Sequence, residues 1–176
     1  MDANPDATTL LGIYLNDHLA GATGGAALAT RLARAERGGP LGETLARLAG
    51  EIDEDRTALI DMMAALGVPI RRYKTLAALA AERVARLKPN GRLVTRSPLS
   101  RVVELEAMRL GVEGKGAAWR TLRVRAETDA RLDVARLDAL ISRARSQIDE
   151  LERLRVRAVA EAFGGEVEHG AAAGSP

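Results

Sequence analysis

Cysteine is absent from the 176 residues, which excludes disulfides, thiolate zinc sites, iron–sulfur ligation and thiol catalysis. Aromatic residues are nearly absent: Tyr14, Tyr73, Trp119 and Phe163 make up 2% of the chain, so alanine, leucine and valine must fill the core. Side chains that small let helices approach closely and favour helix-on-helix packing over a β-sandwich. Histidine occurs only as His18 and His169, so a hydrolytic triad could draw on His18 alone, and no nucleophile-elbow motif accompanies it. No apolar run approaches the ~18 residues that a membrane span needs. The first residues carry Asp2 and Asp6 where an export signal would carry positive charge, so the expectation is a cytoplasmic protein that does not enter the membrane.

An apolar fraction of 47% with 28% charged residues suits one folded domain with a sizeable core. The net charge is only +2, but it is unevenly placed. From Val68 to Arg101, nine basic residues (Arg71, Arg72, Lys74, Arg83, Arg86, Lys88, Arg92, Arg96 and Arg101) face Glu82 alone, which leaves the rest of the chain acidic.

Apolar periodicity predicts four long helices. The first spans about Thr8 to Arg37, capped by Asp6 or Thr8 and stopped by Gly38-Gly39-Pro40, with a stripe of Leu11, Leu15, His18, Ala22, Gly25, Ala29 and Leu32. The second runs from about Leu41 to Leu66 and stops at Gly67 with Pro69 beyond; its stripe places Asp55 among Leu48, Ile52, Leu59 and Met62. The third starts at Ser97-Pro98 and reaches about Arg125. The fourth extends from near Asp129 to Phe163, along Val134, Leu137, Ile141, Ala144, Ile148 and Leu151. Residues 1–7 and 164–176 read as tails, the latter disordered because it is rich in glycine, alanine and glutamate.

The first and second helices, and the third and fourth, are joined by a few residues and should form antiparallel pairs. Between Val68 and Pro98 lie about 31 residues, with a shorter helical pattern over about Thr75 to Leu87. At ~1.5 Å per residue that helix and its flanks can traverse a bundle, which makes the second and third helices parallel. The phrases Tyr14-Leu15-Asn16-Asp17-His18-Leu19-Ala20-Gly21, Gly111-Val112-Glu113-Gly114-Lys115 and Arg143-Ala144-Arg145-Ser146-Gln147, set in that connectivity, resemble uncharacterised members of the ferritin-like superfamily. The resemblance covers roughly Thr8 to Phe163 and implies an all-α, ferritin-like four-helix bundle with a long crossover, containing a short helix, between helices 2 and 3.

Di-iron bundles of that superfamily take a glutamate from each of two helices and a Glu-x-x-His pair from each of the other two. Here no Glu-x-x-His occurs in the second or fourth helix, and Gln147-Ile148-Asp149-Glu150 is the nearest analogue. His18 with Glu51, Asp55, Glu106 and Glu113 could still hold iron or manganese through oxygen-rich ligation. The favoured reading pairs the inward acids with arginines such as Arg109, Arg120 and Arg155, leaving a bundle with a degenerate metal site and no cofactor. On that reading His18 donates to Glu51 or Asp55. Gly111 to Gly116 lacks the spacing, the Ser or Thr and the preceding strand of a phosphate loop, and is read as a small-residue stretch in close contact with Gly21 to Ala27.

The expected role is a non-enzymatic interaction or assembly module, a homo-oligomer of two or more chains, in which the basic crossover complements the acidic remainder. The alternatives are a carboxylate-rich protein handling iron or manganese and a nucleic-acid-associated bundle. The latter would use Arg71, Arg72, Lys74, Arg83, Arg86, Lys88, Arg92 and Arg96, with Tyr73 as the single stacking group.

Overall fold

The computed structural model describes residues 6–71 and 97–164. Among them are four helices and no strands: α1 (Ala7–Ala35), α2 (Gly42–Ala65), α3 (Pro98–Arg125) and α4 (Val134–Phe163). The shorter helix expected over about Thr75 to Leu87, and the path of the crossover beyond Arg71, lie outside the described residues. None of the described helices is long and apolar enough to cross a membrane.

Local chemistry sets the helix ends. The Asp6 carboxylate accepts from the Thr9 amide at 2.7 Å, and that bond to the charged form holds its pKa below the ordinary range. Ser97 caps α3 ahead of Pro98 at the first helical position. The fourth helix begins five residues later than the apolar pattern suggested. Asp133 caps it, accepting from the Arg136 amide at 3.1 Å, while Asp129 stays in the preceding turn and binds both Arg125 and Arg131. The second helix ends in a Schellman turn: Gly67 adopts φ +71°, its amide donates to the Ala64 carbonyl, and the Val68 amide donates to the Met63 carbonyl at 2.8 Å.

Cross-helix pairs give the relative directions. Tyr14 meets Thr121 at 3.0 Å, Arg31 meets Glu104 at 3.1 Å and Glu36 meets Arg101 at 3.0 Å, so α1 and α3 are antiparallel. Arg47 contacts Glu150, Arg143 contacts Glu54 at 3.0 Å and Arg136 contacts Asp61 at 2.9 Å, so α2 and α4 are antiparallel as well. With α1–α2 and α3–α4 forming the two hairpins, α2 and α3 run in the same direction, which a connection of that length permits. The start of that connection is held down. Val68 is buried, the Asn16 amide group donates to the Pro69 carbonyl at 3.0 Å, and its Oδ1 accepts from the Arg71 amide at 2.6 Å.

The core is aliphatic. Leu15, Leu45, Leu105, Leu137 and Leu151 are fully enclosed, each contributing roughly 1.5–3 kcal/mol by leaving water. Ala29, Ala144 and Ala158 fill narrow points between them.

Candidate functional site

Two features meet at mid-height of the bundle, a buried charged network and a cavity beside it. The network is centred on Asp55 of α2, whose side chain is 0% exposed. Lys115 of α3 donates to Asp55 Oδ2, and the same ammonium donates to Gln147 Oε1 of α4 at 2.6 Å. Arg143 of α4 donates to Asp55 Oδ1. The Gln147 amide group donates onward to Glu51 Oε2 at 2.9 Å, and Arg47 reaches both Glu51 and Glu150. Each carboxylate oxygen of Asp55 therefore has a cation on it, the condition under which a buried charge is tolerated.

The electrostatics follow from that arrangement. Burial lowers the pKa of Lys115 because it disfavours the ammonium, and the Asp55 carboxylate opposes this without fully offsetting it. Glu51 is held below the ordinary carboxylate range: burial acts upwards, and the combined hydrogen bonds from Gln147 and Arg47 outweigh it.

The cavity lies between α1, α2 and α3 and measures about 230 Å³. Lys115, Asp55, Asp17 and His18 form its polar wall, Trp119, Met108 and Ile52 its apolar walls, and Gly21, Gly25, Gly111 and Gly114 its sides. The sequence suggested that these glycines allow close helix contact. They do something different: a Cβ built at any of the four meets nothing within 4 Å. Their missing side chains leave space between α1 and α3 instead of drawing the two helices together.

The acids and histidine considered as metal ligands are not assembled. Among the described residues no group of three or more His, Asp or Glu side chains is placed to hold a metal ion. Asp55 and Glu51 belong to the network just described. Glu106 lies 3.7 Å from Arg155 and Glu113 lies 3.9 Å from Arg109, both at the periphery. His18 makes no hydrogen bond to Glu51 or Asp55; it borders the cavity half-buried, edge-on to Tyr14 with ring centroids 4.4 Å apart. The physical reason is saturation, since Lys115 and Arg143 already occupy both oxygens of Asp55. Burial lowers the pKa of His18, with Asp17 acting weakly in the opposite direction.

The partners of the buried acid also differ from those expected. Arg109 and Arg155 bind Glu152 near the surface, at 3.3 Å and 2.6 Å, and Lys115 and Arg143 take the inward place. Of the basic residues considered for nucleic-acid contact, Arg71 alone is described; it is exposed, with its backbone amide on Asn16. Arg72, Lys74, Arg83, Arg86, Lys88, Arg92 and Arg96 lie outside the described residues.

No protein-family model, curated protein or solved structure matches this chain.

Proposed function

We propose that the chain is a non-enzymatic ferritin-like bundle serving as an interaction or assembly module, in which a charged network around Asp55 occupies the place where di-iron bundles gather their ligands. The observation that carries this reading is the Lys115 ammonium seated between Asp55 and Gln147. A cation fixed on α3 competes with any metal for the oxygens of Asp55, and it does so at no cost of recruiting an ion from solution. Short link, long link, short link with α2 and α3 parallel supports the ferritin-like assignment. The assembly role is supported by Val103, Leu110 and Val124, which lie at multiples of seven residues along α3 and are 46%, 68% and 67% exposed.

Two measurements test the reading. Elemental analysis of protein from cells grown with added iron and manganese should find well under one metal ion per chain. Near-stoichiometric metal that is lost on Glu51→Gln or Glu106→Gln would reverse the assignment. Sedimentation equilibrium should show a dimer or larger species that Leu110→Glu weakens, and a monomer at all concentrations would remove the assembly role.

A further inference from the structure

The cavity beside the network has properties that a structural void does not need. Its walls are mainly glycine, alanine and aliphatic side chains, which give water few hydrogen-bond partners. Two of the residues that line it nevertheless carry donors without a full set of acceptors. Trp119 is 1% exposed and its indole N–H has no hydrogen-bond partner among the described residues. Lys115 spends two of its three protons on Asp55 and Gln147, and the third has no partner there. The two residues are four apart on α3 and so share one helix face. Unmatched buried donors are uncommon and costly, which is a reason to look for the acceptor that completes them.

We propose that this cavity binds a small, neutral, largely apolar molecule of aromatic size carrying one carbonyl oxygen, which accepts from the donors of Trp119 and Lys115. Size follows from the volume: a dry engineered cavity of about 150 Å³ admits benzene, so 230 Å³ holds on the order of ten non-hydrogen atoms. Neutrality follows from the wall, because the carboxylate of Asp55 lines the same space and Glu51 stands behind it through Gln147. A ligand carboxylate would add a further negative charge to that low-dielectric site. Entry is between α1 and α3, where Gly21, Ala107 and Gly111 line the cavity and are exposed.

The experiment uses the full chain labelled with ¹⁵N. Trp119 is the single tryptophan, so its indole N–H gives one isolated resonance. Three probes are titrated: acetophenone; α-methylstyrene, in which a methylene replaces the carbonyl oxygen; and benzoate. Acetophenone should shift the indole resonance saturably and downfield, and α-methylstyrene, which can accept from neither donor, should bind at least about ten-fold more weakly. Gly25→Leu, which fills the space from α1, should abolish the acetophenone shift. Gly111→Leu at the mouth is the second variant in case the first fails to fold, with the thermal transition recorded for both. An indole resonance that none of the probes moves would overturn the proposal, as would equal binding of acetophenone and α-methylstyrene. Benzoate binding as tightly as acetophenone would overturn the assignment of a neutral ligand.

Discussion

Lys115 on α3 and Asp55 on α2, sixty residues apart in the chain, meet in the bundle interior, where the lysine side chain is 12% exposed and the aspartate side chain 0%. Removing either partner alone leaves the other short of a counter-ion. Lys115→Met should therefore lower unfolding stability by about 1–3 kcal/mol, as it leaves Gln147 Oε1 without a donor and Asp55 with Arg143 as its one remaining cation. Asp55→Leu should cost more, about 3–5 kcal/mol, because it leaves a buried ammonium uncompensated. The double variant should recover much of the loss, and chemical denaturation of all four proteins measures the coupling. Strict additivity would show that the two side chains do not interact.

Acid should destabilise the protein in a window that His18 sets. Its folded pKa lies below the ordinary value of about 6.5, so between those two values the unfolded chain binds more protons than the native one. Stability contributed by the neutral ring is present above about pH 6.5 and is lost as pH falls towards the folded pKa. Melting temperature should drop over that range, and His18→Gln should flatten the profile there while leaving the steeper fall below about pH 4.5, where carboxylates such as Glu51 titrate. An unchanged profile in the variant would refute the assignment.

The glycines should fall into two classes. Gly67→Ala forces a side chain into φ +71° and should destabilise by about 1 kcal/mol. Gly21→Ala and Gly111→Ala have open space at the new Cβ and should each stabilise by roughly 0.5–1 kcal/mol through helix propensity. Thermal unfolding of the three variants separates the classes by sign.

Asn16 is 2% exposed and uses both ends of its amide: it donates to the carbonyls of Gly12 and Pro69, and it accepts from the Arg71 amide. Asn16→Ala should cost about 1–3 kcal/mol by leaving those backbone groups unmatched. It should also speed hydrogen exchange at Arg71 while sparing the α3–α4 hairpin. Asn16→Asp should be nearly as damaging, since a carboxylate cannot donate to Gly12 or Pro69.

Much of this architecture was legible in the spacing of apolar residues. The stripe through Leu48, Ile52, Asp55 and Leu59 placed one acid inward, and the length from Val68 to Pro98 implied parallel second and third helices. The partner of Asp55 was less visible, although a signal existed. Leu105, Met108, Val112, Lys115, Trp119 and Leu122 recur at alternating steps of three and four, which puts Lys115 on the buried line of α3. Gly111, Gly114 and Gly116 flank that line and dilute its apolar signal. Two outcomes depended on packing that periodicity does not encode: whether the glycines of α1 and α3 would touch or leave a gap, and whether His18 would reach a carboxylate already claimed by two cations.

The ion pairs between α2 and α4 also act as a ruler. Arg47, Asp55 and Asp61 find Glu150, Arg143 and Arg136 in reverse order, at intervals of about two helical turns. Aliphatic faces built from leucine and alanine tolerate sliding by one turn, because one leucine packs much like the next. The charged ladder does not, because a slip of that size would strip Asp55 of Arg143 and leave its buried carboxylate short of a counter-ion. Vertical alignment of the two hairpins is thus fixed by polar side chains within an otherwise repetitive apolar seam, and because Asp55 is enclosed, salt screens the pair that sets the register much less than it screens the exposed pairs at either end.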